Sequence, residues 1–319
     1  MPNVNDVNFS DIYVISENEV YIPDPRSATA LMEFQAPDMH EFYQALKDGY
    51  KNYSSYSVNF KGTVYRIERV MNIYGEQFCG RKMPNSIPPF ATLGFPIPLT
   101  TNLLSLSNKT GLILLAGPTG GGKTTTCSSL LKEYLNREGG FAYTIEDPAE
   151  MPLDGKCVSV KGGIGVCKQT EPVAEDWGGS LKSALRSKPR FIFVGEIRTP
   201  ETASEVLRAA TSGHLVLSTI HANNIQDAIN SVVKYASATE LSEDLAYDLF
   251  SRGMQCVIHQ TLHGIGVKRP DVSFLFANSD NSQGCAIRGN IKTGKLNLAT
   301  AIETQAVRLA RGIPLFQEF

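Results

Sequence analysis

Leu112-Ile-Leu-Leu-Ala116 runs straight into Gly117-Pro-Thr-Gly-Gly-Gly-Lys-Thr124, and this junction decides the fold. An unbroken apolar run suits a parallel strand covered on both faces, because a strand with one wet face alternates instead. The next residues fit G-x-x-x-x-G-K-[ST]. Glycines there let successive backbone N–H groups turn inward around phosphate oxygens, where side chains would stand in the way. The loop leads into a helix-forming run from Lys123 to Arg137, whose first turn carries partial positive charge. Gly117, Pro118, Thr119, Gly120, Gly121, Gly122, Lys123, Thr124 and Thr125 are therefore the candidate nucleotide-binding residues. Lys123 can reach β- and γ-phosphates, and Thr124 can offer its hydroxyl to Mg2+. A flexible glycine turn is the plainer alternative, but strand, loop and helix in this order is the context the phosphate reading requires.

Working outward, Phe141-Ala-Tyr-Thr-Ile145, Phe191-Ile-Phe-Val194 and His214 to Ile220 read as further buried strands. Helix-like stretches separate them at Ser180–Ser187, Pro200–Thr211 and Ile225–Tyr235. This alternation predicts an α/β fold with a doubly wound parallel sheet. Leu241 to Leu262 is expected to be helical. Upstream, Asp11–Ser16 and Val20–Ile22 carry the β-branched and aromatic residues of strands. Ser57–Phe60 and Thr63–Val70 flank Lys61-Gly62 as a hairpin, and Met39–Tyr50 predicts a short helix ending near Gly49. Prolines crowd Pro84–Pro98, where neither a helix interior nor a central strand tolerates them. The expected division is a small α+β domain over 1–93, a linker over 94–100 and the α/β domain with C-terminal helices over 101–319.

The chain has 319 residues, 42% of them hydrophobic, enough for a sizeable core. Its formal net charge of -2 disfavours a dedicated nucleic-acid binder, which ordinarily carries a basic excess. No apolar run is long enough to cross a bilayer, and the opening MPNVNDVNFSD lacks the basic and apolar regions of a secretory signal. Six cysteines stand apart without a CxxC pair, as expected of free thiols in a reducing compartment.

Two carboxylate-bearing stretches and a pair of histidines follow from the strand reading. Phe191-Ile-Phe-Val-Gly-Glu196-Ile-Arg198 ends a buried strand in an acid, where a Walker B element belongs. Gly195 occupies the usual Asp position, so Glu196 is the candidate on the metal side. Glu146, Asp147 and Glu150 crowd the end of another strand. They suit a site that orients Mg2+-bound and attacking water, or simply an acidic surface loop. His214 and His221 bracket one strand; their odd spacing argues against a shared metal and leaves sheet-edge residues or a γ-phosphate sensor.

The four segments GPTGGGKT, TIEDPAE, FIFVGEIR and SGHLVLSTIHANN occur in one order, and together they resemble the type II/type IV secretion and pilus ATPases, the PilT/GspE-like hexameric RecA-type motors. In that family they are the Walker A, Asp box, atypical Walker B and His box. The resemblance implies a RecA-like P-loop core behind a small PAS-like domain, and a homohexamer holding ATP and Mg2+ between subunits. It implies that Glu150 activates water with Glu146 and Asp147 in support, that Thr124 and Glu196 serve the metal, and that His214 and His221 are the His-box pair. It also implies arginines acting across a subunit boundary, with Arg66 and Arg81 in the matching stretch; Val64 departs from the family where another arginine is frequent. The zinc-binding cysteine quartet of many assembly-type members is absent. The implied task is Mg2+-dependent ATP hydrolysis driving a pilus, secretion or conjugative-transfer machine from the cytoplasmic side of the inner membrane, against a platform or channel protein. Two other readings remain open at this stage: a RecA-type motor on nucleic acid, and a nucleotide-gated assembly protein with little turnover.

Overall fold

A computed structural model of the chain describes residues 1–27, 29–50, 54–172, 176–264, 268–278 and 285–315. It forms two compact units. The first comprises Met1–Ser86 with the short segment Pro148–Pro152; the second comprises Ile87–Asp147 and Leu153–Phe319. The change-over after Ser86 lies upstream of the expected boundary at residue 93.

In the first unit, strands β1 (Asp11–Ser16), β2 (Glu19–Pro23) and β3 (Leu31–Glu33) precede helix α1 (Met39–Asp48). Strands β4 (Ser55–Phe60), β5 (Thr63–Asn72) and β6 (Gly75–Lys82) follow. All six make one antiparallel sheet in the order β3-β2-β1-β6-β5-β4. The alternation along β5 is visible: Thr63, Tyr65 and Ile67 are buried, while Val64, Arg66 and Glu68 face outward. Helix α1 buries Met39, Phe42 and Leu46, one face at helical spacing, and Gly49 caps it as expected. The Phe42 ring meets Phe60 and Tyr65 edge-on at 5.1 and 4.9 Å between centroids. The Lys61-Gly62 turn has positive φ at both residues, the geometry that matches strand twist in a tight hairpin.

The second unit begins with α2 (Ile97–Ser105), which carries its proline in the first turn. Residues 97–100, expected in a linker, thus belong to a helix. Next come β7 (Gly111–Ala116), α3 (Lys123–Glu138), β8 (Gly140–Ile145), β9 (Gly155–Val158) and β10 (Ile164–Thr170). Then follow α4 (Trp177–Arg186), β11 (Phe191–Val194), α5 (Pro200–Thr211), β12 (Leu215–Ile220) and α6 (Ile225–Ser237). The unit closes with α7 (Glu243–Gly253), β13 (Met254–His263), β14 (Arg269–Phe276), α8 (Ala286–Lys292) and α9 (Ala299–Ala310). The sheet order is β14-β13-β7-β12-β11-β8-β10-β9. Its interior is parallel, and antiparallel hairpins form both edges.

Continuous burial of β7 conceals a strict alternation. Leu112, Leu114 and Ala116 pack against the core under α4 to α7, while Ile113 and Leu115 pack against the core under α2, α3 and α9. Helices on both faces are what the apolar run demanded. The expected helix over 241–262 is half right. Helix α7 stops at Gly253, and β13 takes over because its residues must serve two faces: Met254 and Val257 face one core, Cys256 and Ile258 the other. A register shift between Met254 and Cys256 reconciles this run with its neighbour β7. All six cysteines are free thiols.

Phe193, fully buried in β11, should cost about 3–5 kcal/mol when changed to Ala. Ile73→Ser, at a hairpin tip 90% exposed, should stay within about 0.5 kcal/mol. Urea unfolding of both variants checks the pair, and comparable losses would contradict the assigned core.

Candidate functional site

Register alone gathers the candidate residues of the second unit. Ala116 lies opposite Ile220, and Val194 lies opposite both Ile145 and Ser218. The residues that follow these strand ends, Gly117, Glu146, Gly195-Glu196 and His221, therefore emerge along one sheet edge.

The phosphate loop is built around glycine conformations. Gly117, Gly120 and Gly122 have φ of 144°, 72° and 80°. Gly122 starts α3 in a left-handed conformation without a side-chain cap, so the helix presents backbone N–H groups at its mouth. A Cβ on Gly117 would lie 2.1 Å from the Gln260 carbonyl oxygen of β13, so the loop can pass only as glycine. Pro118, Thr119 and Gly120 are exposed, and Thr124 and Thr125 are half-buried. The Lys123 ammonium is buried and donates to the Gly117 and Pro118 carbonyls, both at 2.8 Å.

Glu146, 1% exposed, accepts from Gln169 Nε2 at 2.8 Å, while Asp147 beside it is exposed. A Cβ on Gly195 would come within 3.3 Å of the Glu146 Cα and Cγ. That crowding gives a physical reason for glycine at the atypical Walker B position. Burial pushes the Cys127 thiol far above its usual range; the Glu146 carboxylate adds to the rise and Lys123 opposes it. Glu196 is held at both oxygens. His221 Nε2 stands 3.0 Å from Oε1, and Arg198 approaches Oε2 at 2.6 Å through both Nε and a terminal nitrogen. These three line a cleft of about 400 Å3 with Ile197, Ile220 and Tyr235.

His214 is not part of this assembly. Its Nδ1 lies 2.6 Å from the Pro189 carbonyl at the opposite end of β12, about 20 Å from His221 at strand rise. Within one chain the two histidines cannot act on the same phosphate.

Arg66, Arg81 and Glu150 fall in the first unit. Arg66 and Arg81 are direct cross-strand partners, and Arg81 donates to Asp11 at 2.9 Å. Asp11 chiefly raises the Arg81 pKa, with Glu150 a minor contributor. The Asp11 carboxylate thus offsets part of the repulsion between the two paired guanidinium groups.

Three residues escaped the sequence reading. Arg198 stood in the quoted Walker B stretch, but nothing in the spacing gave it a partner. Gln169 steadies Glu146 from β10, a strand absent from the expectations. Gln260 lies in the stretch expected to be helical, where no contact with the phosphate loop could be foreseen.

The open glycine cradle, the buried ammonium and the uncapped helix start fit a nucleotide's phosphates. Among the described residues no cluster of three acids, histidines or cysteines could hold a metal by itself. Mg2+ suits such a place through substrate phosphates, water and the Thr124 hydroxyl.

A strand-loop-helix phosphate cradle on a parallel sheet, with an acid and a histidine along the same edge, defines a RecA-like P-loop nucleotide-binding protein. Residues 56–301 match the family described as Type II/IV secretion system protein, and the chain belongs to that family. It is similar to the type IV pilus retraction ATPase PilT of Pseudomonas aeruginosa, 38% identical over 154 residues, covering 48% of this chain and 42% of that protein. It is also similar to the type IV pilus assembly ATPase PilB of Acinetobacter baylyi, 32% identical over 200 residues, covering 59% and 32%. The matching region thus spans less than half the length of these relatives. Among solved structures, the pilus retraction motor PilT with bound ADP superposes over 99% of this chain and 91% of its own at a TM-score of 0.71 and 26% identity. The Legionella pneumophila ATPase DotB shares the fold at a TM-score of 0.72 and 19% identity, over 97% and 90%.

Gly117→Ala, driven into a backbone oxygen, should cost several kcal/mol. At Gly120 a Cβ meets nothing within 4 Å, so Gly120→Ala should cost only the left-handed penalty of about 1–2 kcal/mol. Thermal unfolding without nucleotide compares the two; equal losses would refute the packing assigned to Gly117.

Proposed function

We propose that the chain is a Mg2+-dependent ATPase that works as a homohexamer and powers a pilus, secretion or conjugative-transfer machine. The observation that carries this reading is the shared edge of the phosphate loop and the Glu196–His221–Arg198 cluster. The family and the names of its relatives support the ATPase assignment.

On this reading the Gly117–Thr125 loop cradles the phosphates of ATP, and Lys123 leaves its own loop carbonyls to meet the β- and γ-phosphates. Mg2+ would be held by Thr124 and Glu196 and would supply charge neutralisation for the β- and γ-phosphates. Glu150 is the acid proposed to activate the attacking water, with Glu146 and Asp147 in support, and Glu196 is the proposed Walker B glutamate. His221, already beside Glu196, is the candidate γ-phosphate sensor. Arg66 and Arg81, cross-strand partners, are proposed to complete the site of a neighbouring subunit by offering guanidinium groups to its phosphates. The partner would be a platform or channel protein at the inner membrane, the ATPase binding peripherally from the cytoplasmic side. Among the described residues no helix is long and apolar enough to cross a membrane.

Purified protein should hydrolyse ATP only with Mg2+. Lys123→Ala and Glu196→Ala should each lower turnover by at least about 100-fold. His221→Ala should lower it more than His214→Ala, given their separation. Phosphate release measured across the four variants tests the assignment. Tight nucleotide binding with no turnover in the parent protein would support the gated-assembly reading instead.

A further inference from the structure

The side chain of Gln260 is buried, 1% exposed, behind the phosphate loop and far along the chain from it. Both ends of its amide are used. Nε2 donates to the Gly121 carbonyl at 2.7 Å, and Oε1 accepts from the Thr126 hydroxyl at 3.0 Å. Its backbone is equally close: a Cβ on Gly117 or Gly121 would lie 2.1 or 3.0 Å from the Gln260 carbonyl oxygen. A Cβ on Gly122 would lie 2.9 Å from Nε2. One residue of β13 thus touches the start of the loop, its last turn and the first turn of α3.

These contacts have a directional consequence. A trans peptide points its C=O and N–H in opposite directions. With the Gly121 carbonyl turned toward Gln260, the Gly122 N–H is turned away from β13. That is the sense a phosphate-binding loop needs, its N–H groups facing the ligand. The Thr126 bond fixes the other side, because Thr126 N–H closes the first helical turn on the Gly122 carbonyl at 3.0 Å. Loop and helix start are therefore held in one orientation before any ligand arrives, and the ordering cost that a loose loop would incur on binding is already met.

We infer that Gln260 is a positioning residue for nucleotide binding, acting through the Gly121-Gly122 peptide and Thr126 rather than by touching the nucleotide. The inference rests on the nucleotide reading of the loop. Only a side chain with donor and acceptor at this length serves both partners. Gln260→Met keeps the volume and removes both bonds; Thr126→Val removes one bond and leaves Gly121 held.

The test is equilibrium binding of MgADP to full-length wild type, Gln260→Met, Thr126→Val and the double variant, with melting temperature and amide hydrogen exchange over 117–126 measured without nucleotide. Gln260→Met should raise Kd about tenfold, or about 1.4 kcal/mol, and speed exchange in the loop. Thr126→Val should raise Kd less, and the double variant should fall short of the product of the two effects. A Gln260→Met protein with lowered melting temperature but wild-type Kd and loop exchange would show a merely structural role and overturn the inference. If Gln260→Met does not fold, Thr126→Val decides, and unchanged Kd with unchanged exchange overturns it. Wild-type protein that binds no MgADP would instead refute the nucleotide reading, and the inference would fall with it.

Discussion

The central constraint is the burial of β7 on all four sides. Strands β12 and β13 flank it in parallel, and helices cover both its faces. A strand so enclosed cannot slip, because a one-residue shift would exchange the two alternating sets of side chains. Its end at Ala116 is fixed, and with it the point where the chain must turn. The turn is then shaped from behind by β13, whose Gln260 carbonyl leaves no room for any side chain at Gly117. The glycines of the loop thus answer two demands: packing against β13 at Gly117 and Gly122, and an open front at Gly120.

The acid side of the edge follows the same logic of crowding. Strand β11 lies between β8 and β12, so the residues after all three strands compete for little space. Gly195 yields that space to Glu146, and the first carboxylate after β11 is carried by the next residue, Glu196. Glu196 then emerges where His221 also emerges, and Arg198 closes on its other oxygen. The atypical sequence of this Walker B element is therefore a packing solution as well as a family mark.

Much of this was legible in the sequence because it depends on short-range pattern. The apolar run of β7, the glycines after it, the strand end before Glu196 and the hairpin at Lys61-Gly62 each declare themselves within a few residues. What escaped depends on distant neighbours. Strand β13 looks helical in isolation because Met254-Gln-Cys-Val-Ile has no alternation; only burial on both faces makes it a strand. Gln260 and Gln169 are unremarkable in sequence and acquire roles only when the sheet brings them to Gly121 and Glu146. His214 shows the converse: a motif joins two histidines that strand length places at opposite ends of β12.

Ligand binding at this edge would be an exchange of partners. Lys123 is held by two loop carbonyls, and Glu196 is held by a histidine and an arginine. Each bond that a phosphate or hydrated cation gains here replaces one already made, so its net contribution is smaller than its strength in isolation. The same exchange couples the groups. A phosphate that draws Lys123 away leaves two carbonyls to be satisfied by rearrangement of the loop. A cation that draws Glu196 away frees His221 and Arg198 to turn toward new negative charge. On the proposed reading, that release is how the arrival of ATP is felt along the whole sheet edge, without any need for a large movement within the core.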